Sequence, residues 1–161
     1  MKKLLFFSLL FFSLNVCAQS VADEDEQATR ERITAGKITE EDVMEFKQGM
    51  LDAARKMNSF LPTKVGEYQT LYFVGVLNDL IVYKYEIEGW PTGELVSNGD
   101  IASMKKTAVR NFLNSQQFPD LFLRCLRTGV RIQTMFFDED RTYIGGYTIS
   151  YEDYKDSKMK E

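Results

Sequence analysis

Between Leu71 and Ile87 the chain carries two apolar segments hinged at Asn78-Asp79, and the same form returns between Val130 and Ile149 with its hinge at Asp138-Glu139-Asp140. In the first copy, Thr70 to Leu77 is β-rich and apolar on both parities, as a strand covered on two faces would be. Leu80 to Glu88 alternates: Ile81, Tyr83, Tyr85 and Ile87 point one way, and Val82, Lys84, Glu86 and Glu88 the other. Asn78-Asp79 tolerates the left-handed conformation that a tight hairpin asks for. In the second copy Val130, Ile132, Thr134 and Phe136 alternate with Arg131, Gln133, Met135 and Phe137. Arg141 to Tyr151 then places Tyr143, Tyr147, Ile149 and Tyr151 on one face, and Gly145-Gly146 reads as a bulge.

Each hairpin follows a helical pattern. Thr39 and Asp42 form a capping box, Ile38 and Val43 a hydrophobic staple, and Val43, Phe46, Met50, Ala54, Met57 and Leu61 recur near the helical period until Pro62 stops the run. The connector Leu61 to Gly66 leads into the first hairpin. The loop from Gly89 through Trp90, Pro91 and Gly93 to Asn98-Gly99 separates the two halves. Asp100 is then placed to cap a helix carrying Ile101, Met104, Ala108 and Phe112. Pro119 suits the first turn of a short helix with Leu121, Phe122, Cys125 and Leu126, closed by Gly129.

The pattern therefore predicts an α+β fold of two αββ units, residues 38–89 and 100–151, within one domain over 38–152. Their hairpins would form a four-stranded antiparallel sheet with the helices packed on one face. The tyrosine-rich parity would face the helices, and the opposite face, with Lys84, Glu86, Glu88, Arg131 and Gln133, would be polar and open to a partner.

Composition places this domain. Lys2 and Lys3 precede the apolar run Leu4 to Leu14, and Val16-Cys17-Ala18 presents small residues where a signal peptidase reads, so residues 1–18 are read as a secretory signal peptide cleaved after Ala18. The alternative is a lipid anchor on Cys17, since Leu14 stands three residues before it. The apolar run falls short of the roughly 18 residues of a spanning helix, and no later stretch is apolar enough to cross a membrane. The 161-residue chain holds 20 basic and 24 acidic side chains; removal of the leader takes Lys2 and Lys3 and leaves 18 against 24, a net charge near −6. Such an acidic exported chain disfavours nucleic acid as a partner. The leader's character points to the periplasm. Residues 19–37, with Asp23-Glu24-Asp25-Glu26, have too little apolar content to fold alone and read as a flexible acidic tether; residues 153–161 read as a charged tail.

The run Met57-Asn58-Ser59-Phe60-Leu61-Pro62, then Thr70-Leu71, and later Cys125-Leu126 with Gly129-Val130 before a hairpin, resembles a group of small exported Gram-negative proteins without an assigned activity. More loosely, the chain is similar to the small pilot proteins that escort secretion-system components through the periplasm. The resemblance implies an exported α+β domain and brings no catalytic residue.

Chemistry narrows by elimination. The chain has no histidine, which removes Ser-His-Asp and Cys-His mechanisms and histidine-ligated metals. No glycine-rich phosphate loop is present. After cleavage Cys125 is the one thiol, so no internal disulfide can form; it is the sole candidate nucleophile and reads as a packed apolar residue beside Leu121 and Phe122. Asp138, Glu139 and Asp140 could attract a hard cation but lack the spacing of a calcium loop and read as a solvated turn. Trp90 reads either as an interface anchor or as a ring folded over the sheet end.

The sequence thus predicts a non-enzymatic periplasmic protein-binding module without metal or cofactor, an envelope or secretion accessory or an inhibitor of a toxin or hydrolase. Its candidate contact residues are Trp90, Lys84, Glu86, Arg131 and Gln133. The alternatives are a small-ligand-binding protein and an enzyme built on Cys125.

Overall fold

The structure, a computed structural model, describes residues 31–32, 35–113 and 127–158. The segment expected as a leader, most of that expected as an acidic tether and the expected short helix with Cys125 lie outside the described residues, as does the side chain of Phe112.

Helix α1 spans Glu40–Asn58. The capping box forms as the sequence requires: Thr39 Oγ1 accepts from the Asp42 backbone N–H at 3.1 Å, and Asp42 Oδ2 accepts from the Thr39 N–H at 2.8 Å. Met50, Ala54 and Met57 turn inward, with Phe46 and Leu61 packed alongside. The chain is already fastened at Arg32, inside the stretch expected as tether. Its Nε and Nη2 reach Asp42 Oδ1 at 3.1 and 2.7 Å, over a carboxylate only 1% exposed.

Five strands follow, interrupted by a helix: β1 (Thr63–Gly66), β2 (Gln69–Leu77), β3 (Leu80–Ile87), α2 (Asn98–Leu113), β4 (Arg131–Phe137), β5 (Tyr143–Ile149) and the closing helix α3 (Tyr151–Lys158). They form one sheet in the order β1-β2-β3-β4-β5. Two features depart from the expected four-stranded antiparallel sheet of two αββ units. The connector after Pro62 contributes a short fifth strand, with Thr63 opposite Leu71 and Lys64 opposite Thr70. Thr63 and Val65 are the β-branched residues that make four residues sufficient beside a ready edge. The hairpins also meet in parallel, Leu80 beside Arg131 and Tyr85 beside Phe136. Periodicity fixes which way side chains point but not which way a strand runs, and the long connection through α2 returns the chain to the end where β3 began.

The remaining corrections are local. The cap of α2 is Ser97 rather than Asp100: Ser97 Oγ accepts from the Asp100 N–H at 3.1 Å and donates to Asp100 Oδ2 at 2.7 Å. Strand β5 ends at Ile149 instead of Tyr151, because Ser150 starts α3 with its N–H and hydroxyl donating to Asp153 Oδ2 at 2.8 and 3.0 Å. The residues expected as a tail therefore begin as helix, tied to α2 by Lys105 on Asp153 at 2.7 Å. The bulge in the second hairpin falls at Ile144, beside the expected glycines: Phe136 pairs with Gly145 and Phe137 with Tyr143.

Helices α1, α2 and α3 feed one core with Leu71, Val74, Ile81, Tyr83, Tyr85, Ile87, Ile132, Phe136, Ile144 and Ile149. The tyrosine parity of β3 faces the helices, as the alternation predicts. Val82, on the opposite parity, is buried yet stands outside this cluster. The helices thus cover one face of the sheet. No helix among the described residues is long and apolar enough to cross a membrane.

Candidate protein-binding surface

The face turned away from the helices is set by strand parity. On β3 it presents Leu80, Val82, Lys84 and Glu86; through the parallel register these lie beside Arg131, Gln133, Met135 and Phe137 of β4. Four of the five candidate residues, Lys84, Glu86, Arg131 and Gln133, therefore share one surface. Its character is less polar than expected, because aromatic rings gather there.

A shift in the β2–β3 register between Leu71 and Phe73 leaves Leu71 and Val74 in the core and turns Tyr72 and Phe73 outward. The Phe73 ring lies over Gly75, whose missing Cβ would stand 2.7 Å from it. Lys84 Nζ sits 4.9 Å from the centroid of Phe73 and 5.8 Å from that of Phe137, a cation between two ring faces. Phe137 in turn meets Tyr72 at 5.7 Å and Tyr143 at 5.8 Å, both edge to face. Arg141 lies 5.2 Å from the Tyr72 ring centroid and 3.9 Å from Glu86. Partial burial beneath these neighbours raises the Tyr72 phenol above its ordinary value, with Arg141 opposing that rise. Phe73 and Tyr143 stay 38% and 47% exposed, so the cluster is open to contact. Arg131 is held at the margin, with Nε and Nη2 3.2 Å from the Asp79 carboxylate oxygens. That bond keeps the Asp79 carboxyl below the usual carboxylate range.

Sequence reading missed the rings of this surface. Tyr72 and Phe73 fell in a segment apolar on both parities, and Phe137 closed a strand whose parity alone gave no reason to single it out; Tyr143, expected with Tyr147 and Ile149 on the helix-covered face, is turned to the opposite face by the bulge at Ile144. The signal available was Gly75, a strand glycine that marks close approach by another group.

Trp90 lies apart from this face. Its ring packs against the core and its indole N–H donates to the Glu94 carbonyl at 2.7 Å. The acidic turn supports the Trp90 loop; Glu139 and Asp140 are exposed, as a solvated turn requires, whereas Asp138 is not. Asp138 is fully buried and accepts from the Gly93 N–H at 2.9 Å and the Thr142 N–H at 2.8 Å. Glu139 accepts from the Gly89 N–H at 2.6 Å, and Asp140 from the Thr92 hydroxyl at 3.2 Å. The Gly93 and Thr142 amides keep the Asp138 carboxyl below its ordinary value against the cost of burial. Each oxygen in these bonds is aimed at an N–H or hydroxyl of the Trp90 loop or its own turn.

A separate cleft of about 720 Å³ lies on the other side of the sheet edge, between α1 and the end of β2, where Met44, Gln48 and Leu51 face Val76 and Asn78.

No protein-family model and no curated protein matches the chain. Solved structures do share its fold. A candidate secreted protein from Pseudomonas aeruginosa superposes with a TM-score of 0.52 at 9% identity, over 69% of this chain and 94% of that one. The pilotin EpsS of the Vibrio vulnificus type 2 secretion system superposes with a TM-score of 0.53 at 9% identity, over 72% of this chain and 97% of that one. The likeness to exported proteins and secretion pilots read from the sequence is thus met in the fold, and at this identity it is a likeness of fold alone.

Proposed function

We propose that this protein is a non-enzymatic periplasmic binding module, an accessory of an envelope or secretion system, which engages a protein partner through the helix-free face of its sheet. The observation that carries this reading is the half-exposed arrangement of Tyr72, Phe73, Phe137 and Tyr143 around Lys84, flanked by Arg141. Aromatic and arginine side chains dominate binding energy at protein interfaces, because they bury large rigid areas and carry polar handles. The cationic groups favour a partner that brings carboxylates and apolar side chains together. A fold shared with a pilotin supports the accessory role.

The test is crosslinked purification of the chain from the periplasm of a Gram-negative host, with a photoreactive residue at Tyr143. The expected result is one stoichiometric partner, lost in Lys84→Glu and in Phe137→Ala while the circular dichroism of both variants stays native. A protein recovered without a partner overturns the reading.

A further inference from the structure

The outer edge of β2 is only half used. β1 covers it from Gln69 to Leu71. Beyond that point the two-residue turn Asn78-Asp79 makes Leu77 and Leu80 the closing hydrogen-bonded pair, so Gly75 and Leu77 bond to β3 while Val74 and Val76 turn both main-chain groups outward. At Val74 those groups are satisfied by a side chain. Asn58 Oδ1 accepts from the Val74 N–H at 3.1 Å, and Asn58 Nδ2 donates to the Val74 carbonyl. The carboxamide thus occupies the place a neighbouring strand would fill. At Val76 no such group is found: among the described residues none bonds its outward N–H or C=O.

This open position faces the 720 Å³ cleft, whose other wall is one stripe of α1, Met44, Gln48 and Leu51. Met44 is 70% exposed, and Glu41, Glu45 and Lys47 also line the cleft. An unpaired strand position beside an apolar wall calls for an extended chain. A helix satisfies its own amides and carbonyls and leaves the Val76 groups unused.

We infer that this cleft binds an extended segment of a partner protein, added as a short strand against Val76. Alternate side chains of that segment enter the space between Met44, Leu51 and Val76. The inference rests on the protein-binding reading for its physiological partner, and it adds a second surface that reads main chain and apolar pattern rather than aromatic and cationic groups.

The probe is a phage-displayed library of linear heptapeptides, selected on the chain from residue 19 onward. Enriched peptides are resynthesised unmodified and with N-methyl groups on alternate amides, in each of the two parities. Because the change is made in the peptide, the folding of the protein is untouched. The expected result is that one parity weakens binding by about tenfold or more while the other stays within about twofold, as loss of strand hydrogen bonds requires. Met44→Glu should abolish binding, and the Val76 amide should exchange more slowly in the complex. Absence of enrichment, or binding indifferent to N-methylation in both parities, overturns the inference. Binding lost in Lys84→Glu but kept in Met44→Glu also overturns it, and leaves the binding reading of the outer face standing.

Discussion

The carboxylate of Asp138 accepts a hydrogen bond from the main-chain N–H of Gly93 at 2.9 Å, joining the turn of the second hairpin to the loop that carries Trp90. Asp138→Ala leaves the amides of Gly93 and Thr142 without their acceptor. Trp90 should become more mobile, with red-shifted fluorescence and a thermal midpoint lowered by several degrees. Unchanged emission would show that the ring is held by the core alone.

The same carboxylate sets a pH dependence. Its folded pKa lies below the ordinary 3.8, so its contribution is fully present above that value and is lost as pH falls through the folded one. Asp42 behaves likewise, with its carboxyl lowered to about 2 chiefly by the Arg32 guanidinium and then by Thr39. Arg32→Ala should raise the Asp42 pKa toward 3.8 and move acid unfolding to higher pH, leaving stability at neutral pH less affected at high salt than at low salt. An acid titration followed by circular dichroism gives the comparison. Thr39→Ala, which removes the cap itself, should cost about 1 kcal/mol at neutral pH.

Asn58 is the last residue of α1, and its carboxamide is the edge partner of Val74, which is 2% exposed. Asn58→Ala strands a buried amide and carbonyl and should destabilise the fold by about 1–3 kcal/mol. Hydrogen exchange at the Val74 amide should accelerate more than at Gly75, whose N–H bonds inward to β3.

Two glycines should respond in opposite directions. A Cβ at Gly146 would collide with the Thr134 carbonyl oxygen, whereas one at Gly49 of α1 would meet nothing within 4 Å. Gly146→Ala should cost about 1–3 kcal/mol through backbone displacement. Gly49→Ala should stabilise by about 0.5–1 kcal/mol through helix propensity. Urea unfolding of the two variants measures both.

How much could be read beforehand follows from what each signal encodes. The Thr39/Asp42 capping box and the alternation through Ile81, Tyr83, Tyr85 and Ile87 are local patterns, and both recur in the fold. Strand direction is a property of the connection, so the parallel seam between Leu80 and Arg131 had no local signature. The candidate surface was legible by half. Lys84, Glu86, Arg131 and Gln133 share a face because parity is periodic, while the rings of Tyr72, Phe73 and Phe137 join them through a register shift and a cross-strand neighbour. The role of Asp138 lay deeper still, since its partner at Gly93 comes from a loop 45 residues away.

The parallel seam also carries an expectation for the order of folding. The β2–β3 and β4–β5 hairpins each close over short turns, and hairpins of this kind form in about 1–10 μs. The seam between them joins Asp79 to Arg131 across 52 residues, through the Arg131 N–H on the Asp79 carbonyl and the ion pair above it. Closing so long a loop costs entropy before the central contacts repay it, so the joining of the two hairpins is the step expected to limit folding. Variants along Leu80, Val82 and Gln133 should accordingly slow refolding, whereas variants in either turn should chiefly change the rate of unfolding.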